Sequence, residues 1–127
     1  MALITPNEIY CANAGDSRTV ACEYGNAVDL SKDHKPDLPD ERARIMKGGG
    51  HVVDGRVNGV IALSRAMGDF DYKPVTPPKD AKKIWYLNNH PVTVWPDIQV
   101  KPVHKELEFM IIACDGIWDC KTSDQAV

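Results

Sequence analysis

Two acidic residues, Asp115 and Asp119, are the side chains whose type and spacing point most directly to chemistry. They lie four positions apart and follow an apolar run from Phe109 to Cys114. A carboxylate at the end of a buried strand costs free energy unless it is paired or binds a metal. Hard divalent cations prefer carboxylate oxygens. The spacing is consistent with one shared cation, and equally with an Asp115 that only caps the turn after the strand.

The element that must position these acids is the apolar run itself. A continuous run of this length, ended by a glycine, is typical of a strand that is buried on both faces. Gly116 would let the backbone turn sharply or approach a neighbour closely. We therefore expect a central strand that delivers Asp115 to one of its ends.

Three other polar residues are weaker candidates for metal ligands. Asp69 and Asp71 lie in a glycine-containing loop, where acids are more often turn residues than ligands. His34 precedes a proline-rich connection, and we expect a surface or turn histidine there rather than a ligand.

The composition excludes several classes of protein. With 127 residues, the chain is long enough for one domain and short for two. Hydrophobic residues make up 43% and charged residues 26%, which is typical of a globular protein and argues against disorder. A net charge of −3, without a basic run among aromatics, argues against nucleic-acid binding. No apolar run reaches the length of a membrane span.

The cysteines and the first residues suggest a compartment. Cys11, Cys22, Cys114 and Cys120 form no C-x-x-C pair, which favours free buried thiols in a reducing environment over a disulfide framework. The N-terminal residues lack the basic region and the long apolar region of a secretory signal. We therefore expect a cytoplasmic or nuclear protein.

The first third of the chain predicts antiparallel strands. Residues 9–14 and 19–24 are expected to pair with each other through a turn at residues 15–18. A second tight turn, at Gly25-Asn26, leads into a strand over residues 27–30. Two successive hairpins make a meander, so we expect antiparallel sheets rather than a βαβ arrangement.

A single helix is predicted after these strands. Pro39 suits the first helical turn, and Asp40 and Glu41 suit the positive end of the helix dipole. The helix should end near Lys47, before three consecutive glycines. Because it is short and mostly charged, we expect it on the surface. Its predicted solvated face carries Arg42, Arg44 and Lys47.

The segments that follow are harder to interpret. Residues 51–57 predict a hairpin with an Asp54-Gly55 turn, and residues 60–63 predict a strand. Residues 72–96 are rich in proline and predict a long surface loop, which is either a tolerated insertion, the interpretation we favour, or a partner-binding element. Residues 98–103 predict a strand that pairs with the central apolar strand.

The last residues carry a helix start signal. Thr122 and Gln125 have the spacing of a capping box, with Thr122 as the N-cap. A helix with this signal should run for several turns, whereas the sequence ends at Val127. We therefore expect the chain to be a piece of a larger domain.

Four segments together resemble the metal-dependent type 2C serine/threonine protein phosphatases. They occur in the order of that family and span nearly the whole chain, so the combination is far more specific than any one segment. The resemblance implies an α+β fold: a partial α-β-β-α sandwich of antiparallel sheets with flanking helices and a metal centre at one end. The segments are residues 13–18, 33–36, 57–59 with 63–70, and 113–119.

The resemblance also implies roles for particular residues. Asp115 matches a core Mg²⁺ or Mn²⁺ ligand at the end of a central strand, while Asp119 and Asp16 match acids associated with a weaker third metal position. Residues 33–69 match a flap-like region that influences substrate choice. The proline-rich stretch from Pro74 to Trp95 is longer than the connection usual in the family.

The implied activity is hydrolysis of phosphoserine and phosphothreonine in protein substrates. A binuclear Mg²⁺ or Mn²⁺ centre would activate water for in-line attack on phosphorus, without a phospho-enzyme. The family's Asp-Gly-His-Gly-Gly motif, its phosphate-binding arginine and its downstream Asp-Asn motif do not occur in residues 1–127. We therefore interpret the chain as a central-to-C-terminal fragment of one catalytic domain. We assign it no catalytic residue and expect it to be inactive or nearly so.

Two further expectations follow from these departures. The alternative function is a non-catalytic, phosphatase-like module that binds a partner or a metal without chemistry; a plain β-rich structural domain agrees poorly with four ordered motifs. Strands missing from the sandwich would leave sheet edges unpaired, so we also expect self-association.

Overall fold

A computed structural model describes residues 1–73 and 89–127 of the protein. The chain divides into two compact units: a first unit of residues Met1–Asp33 and Pro96–Val127, and a second unit of residues His34–Trp95. The elements, in chain order, are β1 (Ala2–Ile4), β2 (Glu8–Asn13), β3 (Arg18–Glu23), β4 (Asn26–Asp29), α1 (Pro39–Lys47), β5 (Val52–Val53), β6 (Arg56–Val57), a 3₁₀ turn (Phe70–Tyr72), β7 (Asp97–Pro102), β8 (Leu107–Ala113), α2 (Asp115–Trp118) and α3 (Ser123–Ala126).

The first unit consists of two three-stranded antiparallel sheets and two short helices. The first sheet has the strand order β1-β2-β7, and the second has the order β4-β3-β8. The two sheets share an apolar core, to which they contribute Ile9, Cys11, Ala21 and Met110. This arrangement confirms the predicted α+β class with antiparallel sheets.

The predicted hairpin between residues 9–14 and 19–24 is wrong. Both strands exist, as β2 and β3, but β2 pairs with β1 and β7, whereas β3 pairs with β4 and β8. The polar tetrapeptide at residues 15–18 is therefore a crossover between sheets. Turn-forming residues serve a crossover as well as a hairpin, and only distant strands determine which one forms.

The second predicted hairpin is confirmed, but its turn lies one residue earlier than the expected Gly25-Asn26. Strand β4 pairs with β3, with Glu23 opposite Asn26. Tyr24 and Gly25, which connect the two strands, both have positive φ, 52° and 71°. This conformation is that of a two-residue turn whose twist matches the flanking strands.

The predicted pairing of the last two strands is also wrong. Strand β7 agrees with the strand expected at residues 98–103, but its partner is β2, with Tyr10 opposite Val100. Strand β8 instead pairs with β3, with Ala21 opposite Met110. Two strands adjacent in sequence therefore again lie in different sheets.

Strand β8 is less buried than its apolar sequence suggests. Phe109 is 46% exposed and Ile112 is 54% exposed. Among the described strands, β8 has β3 as its single neighbour and lies at the edge of its sheet. The expectation of burial on both faces is therefore wrong for this chain.

The second unit contains the predicted helix and one predicted hairpin. Helix α1 begins with Pro39 and ends at Lys47, where the Gly48 N–H donates to the Arg44 carbonyl. Strands β5 and β6 pair through Asp54 and Gly55, which have φ values of 49° and 71°. The strand expected at residues 60–63 is absent from this described region, because the chain folds back so that Ile61 forms an isolated bridge with Val57.

Helix α1 is not a surface helix throughout. Ile45 has no exposed surface and packs with Val57 and Val92, and Glu41 is 3% exposed. The Arg44 side chain is only 14% exposed, so it does not belong to the predicted solvated face. The sequence of α1 shows many charges, but it does not show that two of them pair inside the unit.

Two more expectations of surface position are wrong. His34 is 2% exposed, and its carbonyl accepts hydrogen bonds from the N–H and the hydroxyl of Ser64. At the end of the proline-rich stretch, Val92 and Thr93 are 0% and 1% exposed. The rest of that predicted loop, residues 74–88, lies outside the described residues.

All four cysteines are free, as predicted, but only Cys11 and Cys22 are buried. Cys114 and Cys120 are exposed, because both flank α2 rather than lying within the sheet. In the described part of the chain, no helix is long and apolar enough to cross a membrane.

Candidate metal centre

Asp115 lies where the sequence predicts it, immediately beyond strand β8. Cys114 keeps an extended backbone and precedes α2, and Asp115 is the first residue of that helix. An acid in the first turn interacts favourably with the positive end of a helix, although α2 has only four residues. The apolar strand therefore ends by presenting a carboxylate to solvent.

Gly116 does not have the special role that its type predicts. It lies inside α2 without a positive φ. A Cβ at this position would meet the Cys114 Sγ at 3.7 Å, which is an ordinary van der Waals contact. The direction of the chain after Asp115 is thus set by the helix rather than by a glycine turn.

Asp119 follows Asp115 by one helical turn. Its backbone N–H donates to the Asp115 carbonyl at 2.8 Å, and both residues are exposed. A helical turn places such residues on the same side of the helix. The two acids are therefore neighbours at the end of β8.

Asp16 belongs to the same end of the second sheet. It lies in the crossover between β2 and β3, two residues before Arg18, and Arg18 is opposite Ala113 in the β3–β8 ladder. Asp115 follows Ala113 by two residues. Because the strands are antiparallel, Asp16 and Asp115 leave the ladder at the same end.

These acids fit a hard cation in donor type but not in number. Carboxylate oxygens suit Mg²⁺ and Mn²⁺. However, within residues 1–73 and 89–127, no group of three or more His, Cys, Asp or Glu residues could hold a metal ion. The described residues thus offer part of a donor set.

Next to these acids, Arg18 makes contacts that the sequence did not predict. Its Nε and Nη2 donate to the two carboxylate oxygens of Asp33 at 2.8 and 3.0 Å. The hydrogen bond to Asp33 raises the pKa of Arg18 further, and the opposing effect of burial is smaller. The guanidinium also lies over the Trp118 ring, 5.1 Å from its centroid.

Trp118 connects this arginine to α2. The indole is 8% exposed, and its Nε1–H donates to the Ala113 carbonyl at 2.8 Å. Arginine stacked on an aromatic face is a favourable cation–π contact. Arg18 and Trp118 each lie in one of the four segments that resemble the family. The residues around either one do not indicate that the two side chains touch.

The whole chain matches a known protein family. The family model described as protein phosphatase 2C matches residues 1–127. The chain belongs to the protein phosphatase 2C family.

Curated relatives of this protein phosphatase 2C chain support the assignment. It is 51% identical over 127 residues to "Protein phosphatase 2C homolog 2" of Schizosaccharomyces pombe, which covers 99% of this chain and 32% of that protein. It is 43% identical to "Probable protein phosphatase 2C 60" of Arabidopsis thaliana, covering 100% of this chain and 34% of that protein. The chain thus spans about a third of the length of these relatives.

Solved structures of similar proteins have the same fold. A phosphatase from a pathogenic strain of Toxoplasma gondii matches with a TM-score of 0.77 and 36% identity, over 94% of this chain and 34% of that chain. A sex-determining protein of C. elegans matches with a TM-score of 0.73 and 27% identity, over 91% of this chain and 25% of that chain. The two-sheet arrangement of this phosphatase 2C chain is therefore that of its family.

Asp69 and Asp71 belong to the second unit, whereas the acids at the end of β8 belong to the first. Asp69 precedes the 3₁₀ turn with a left-handed backbone, φ 49°, and Asp71 lies within that turn. Asp and Asn tolerate this conformation better than most residues. Their positions agree with the turn role favoured by the sequence.

An open cleft of about 300 Å³ borders α2 on the side of Arg18 and Trp118. Its wall continues through the segment between α2 and α3, which includes Lys121 and Thr122. Asp119 contributes to the same cleft. The cleft is open to solvent, so ions and small solutes can reach Asp119.

Proposed function

We propose that this chain forms part of a metal-dependent serine/threonine protein phosphatase. The observation that carries the proposal is the family match over residues 1–127. The end of β8 supports it, because Asp115 and Asp119 are exposed neighbours there and Asp16 leaves β3 at the same end. The proposed substrates are proteins that carry phosphoserine or phosphothreonine.

The proposed metals are Mg²⁺ and Mn²⁺, with Asp115 as a core ligand and Asp119 and Asp16 as ligands of a weaker position. A bound divalent ion would supply a water of lowered pKa that can act as a nucleophile at neutral pH. The carboxylates would bind the cations and offset their charge.

The 127-residue chain is proposed to have little or no phosphatase activity by itself. The reason is donor number, since the described residues hold no group of three or more potential ligands. We expect Mn²⁺-dependent hydrolysis of p-nitrophenyl phosphate by the chain to equal that of its Asp115→Ala variant. A steady-state colorimetric assay over millimolar Mn²⁺ measures this.

Robust Mn²⁺-dependent turnover that disappears in Asp115→Ala would overturn the proposed inactivity and would leave the metal assignment standing. Turnover that survives in Asp115→Ala would contradict the role of Asp115 itself. Asp71→Ala, which changes an acid of the second unit, is the matched control and should behave as the unchanged chain.

The second unit is proposed to affect substrate choice. The flap-like region expected at residues 33–69 and the proline-rich loop at residues 72–96 fall almost entirely within it, and residues His34–Trp95 form a compact unit. Residues 1–127 as a whole would then be a fragment of a single catalytic domain. The free cysteines agree with a cytoplasmic or nuclear location.

A non-catalytic phosphatase-like module is the second candidate function. The incomplete donor set of the described residues favours it. The distinguishing observation is the coding sequence upstream of Met1: an encoded Asp-Gly-His-Gly-Gly motif would support the phosphatase, and its absence would support the binding module. Under either candidate, exposed strands are proposed to promote self-association.

A further inference from the structure

Arg18 makes three contacts: one anchors it to Asp33, and the other two are with the helices that follow β8. We propose that Arg18 is a positioning residue, which holds helix α2 and thereby fixes Asp115 and Asp119 at the end of the strand. That the two acids bind a metal rests on the proposed function. That Arg18 fixes the helix rests on the contacts alone.

The first step is the anchoring of the guanidinium group. Asp33 accepts two hydrogen bonds from it, at 2.8 and 3.0 Å, and the two side chains are only 16% and 22% exposed. Two parallel hydrogen bonds fix the plane of a guanidinium as well as its position. Arg18 is therefore oriented independently of α2.

The second step is the contact with Trp118. One face of the indole meets Arg18, while the Nε1–H donates to the Ala113 carbonyl at the end of β8. Trp118 is the last residue of α2 and directly precedes Asp119. A tilt of the indole would consequently move the helix turn that carries both acids.

The third step is the contact with the next helix. The Arg18 Nη1 donates to the Ser123 hydroxyl at 3.2 Å, and that hydroxyl donates to Asp29 at 2.6 Å. Ser123 is the first residue of α3. Arg18 thus contacts residues on both sides of Asp119, at positions 118 and 123.

Lysine cannot reproduce this arrangement, although it has the same charge. Its ammonium group has no plane to stack on the indole and no fork to match the carboxylate. Arg18→Lys therefore separates the positioning role from the charge. Asp33→Asn is a second variant, which leaves Arg18 present but weakens its anchoring.

A matched control lies at the other end of the same strand. Glu23 accepts a hydrogen bond from Lys101 at 2.6 Å, and these side chains are 18% and 23% exposed, close to the exposures of Asp33 and Arg18. The Glu23→Gln variant removes an ion pair of similar burial from β3 at the end away from α2. If Arg18 only contributed to the general stability of the first unit, Arg18→Lys and Glu23→Gln would have the same effect on α2.

The first measurement is amide hydrogen exchange of the ¹⁵N-labelled chain without metal. The Asp119 N–H reports on α2 because it donates to the Asp115 carbonyl. We expect Arg18→Lys to accelerate its exchange by about tenfold or more, as expected from losing a charge-assisted hydrogen bond. Exchange should be unchanged in Glu23→Gln. Equal exchange in the unchanged chain and both Arg18→Lys and Asp33→Asn would overturn the proposal.

The second measurement uses Mn²⁺ alone as a paramagnetic probe of residues 115–119. Mn²⁺ should broaden these amides in the unchanged chain and in Glu23→Gln. In Arg18→Lys the apparent affinity should fall by about 10- to 100-fold, as is typical when a residue behind the ligands is changed. No broadening in the unchanged chain would refute Mn²⁺ binding by Asp115 and Asp119 within these 127 residues, whereas equal broadening in all variants would refute the link from Arg18 to the ligands.

Circular dichroism and thermal unfolding of each variant show whether it folds. If Arg18→Lys does not fold, the Asp33→Asn variant provides the same comparison with Glu23→Gln. Accelerated exchange in Glu23→Gln as well as in Arg18→Lys would mean a general loss of stability, and it would overturn a specific positioning role.

Discussion

Glu41 is buried in the second unit among three side chains that donate to it. Arg44 and Arg65 approach it at 2.7 and 2.5 Å, and the Ser64 hydroxyl at 2.5 Å. Burial alone would raise the pKa of Glu41, but the hydrogen bonds from Arg65, Ser64 and Arg44 outweigh it and lower the pKa from 4.5 to about 2. The folded second unit therefore favours the ionised carboxylate.

The Glu41→Gln variant is expected to lose stability, because two arginines would remain buried without their counterion. Removing one partner of a buried ion pair costs about 3–5 kcal/mol. Chemical unfolding at neutral pH measures the change. Asp37→Asn is the control, since the Asp37–Arg42 pair is 4.0 Å apart and more than half exposed, and exposed pairs contribute about 1 kcal/mol or less.

The contribution of Glu41 should also depend on pH. Because its folded pKa is below the unfolded one, the stabilisation is complete above the unfolded value of 4.5 and is lost as the pH falls toward about 2. The difference in free energy of unfolding between the unchanged chain and Glu41→Gln should therefore shrink from pH 6 to pH 3. A difference that stays constant over this interval would contradict the lowered pKa.

For individual residues, the sequence indicated the candidate acids but not the side-chain contacts in the fold. The pattern singled out Asp115 and Asp119, the family resemblance added Asp16, and all three lie at one end of the β3–β8 ladder. It did not predict that Arg18 contacts Trp118, or that Glu41 lies buried among arginines. Such contacts join residues far apart in sequence, and side-chain type alone carries no information about the partner.

At the scale of single elements, helix α3 begins with the capping box that the sequence predicts. Thr122 accepts a hydrogen bond from the Gln125 N–H at 3.2 Å, and the Gln125 side chain accepts one from the Thr122 N–H at 3.0 Å. This capping box confirms the prediction for residues 122–125. It needs only four consecutive residues, which is why sequence sufficed.

Removing this cap should destabilise the first unit slightly. Thr122→Ala loses the hydroxyl that satisfies a backbone N–H, which typically costs about 1 kcal/mol. Thr122→Ser keeps the hydroxyl and should unfold as the unchanged chain does. Equal loss in both variants, measured by urea unfolding, would indicate that the threonine methyl group matters rather than the cap.

Two glycines should respond in opposite ways to alanine. Gly55 has φ +71° in the β5–β6 turn, and an added Cβ would lie 3.0 Å from the Asp37 carboxylate. Gly55→Ala should therefore cost about 1–2 kcal/mol. Gly116 is helical and its Cβ would meet only an ordinary contact, so Gly116→Ala should be neutral or stabilising by about 1 kcal/mol or less. Thermal unfolding distinguishes them; equal losses would contradict the helical assignment of Gly116.

The predicted elements were mostly right, whereas two of the predicted strand pairings were wrong. Local pattern identified β2, β3, β4, α1 and β7 within a residue or two. It joined β2 to β3 and β7 to β8, because neighbours in sequence often pair. The actual partners are set by which apolar faces meet in the shared core, which no single stretch encodes.

At the scale of the whole molecule, the outer face of the first sheet is apolar and open. Tyr10 lies opposite both Leu3 and Val100, so these side chains share one face, to which Ile98 also belongs. Their exposed fractions are 61% for Leu3, 37% for Tyr10, 50% for Val100 and 64% for Ile98. Contiguous apolar surface of this kind favours association.

We expect the chain to self-associate at high micromolar concentration through this face or its sheet edges. Replacing Ile98 and Val100 together by lysine should shift the chain toward the monomer in sedimentation velocity. Met67→Lys is the control, because Met67 is 87% exposed and lies in the second unit. A monomeric unchanged chain at these concentrations would refute the expectation.

The order of strands in the two sheets has a consequence for how the first unit folds. Residue 8 pairs with residue 102, and residue 18 pairs with residue 113, so each sheet is completed by a strand that follows the whole second unit in sequence. Closing such long loops is entropically costly, and non-local pairing slows folding. During synthesis, β2 and β3 would leave the ribosome well before their last partners. The two sheets of the first unit therefore cannot be completed until synthesis has passed residue 113.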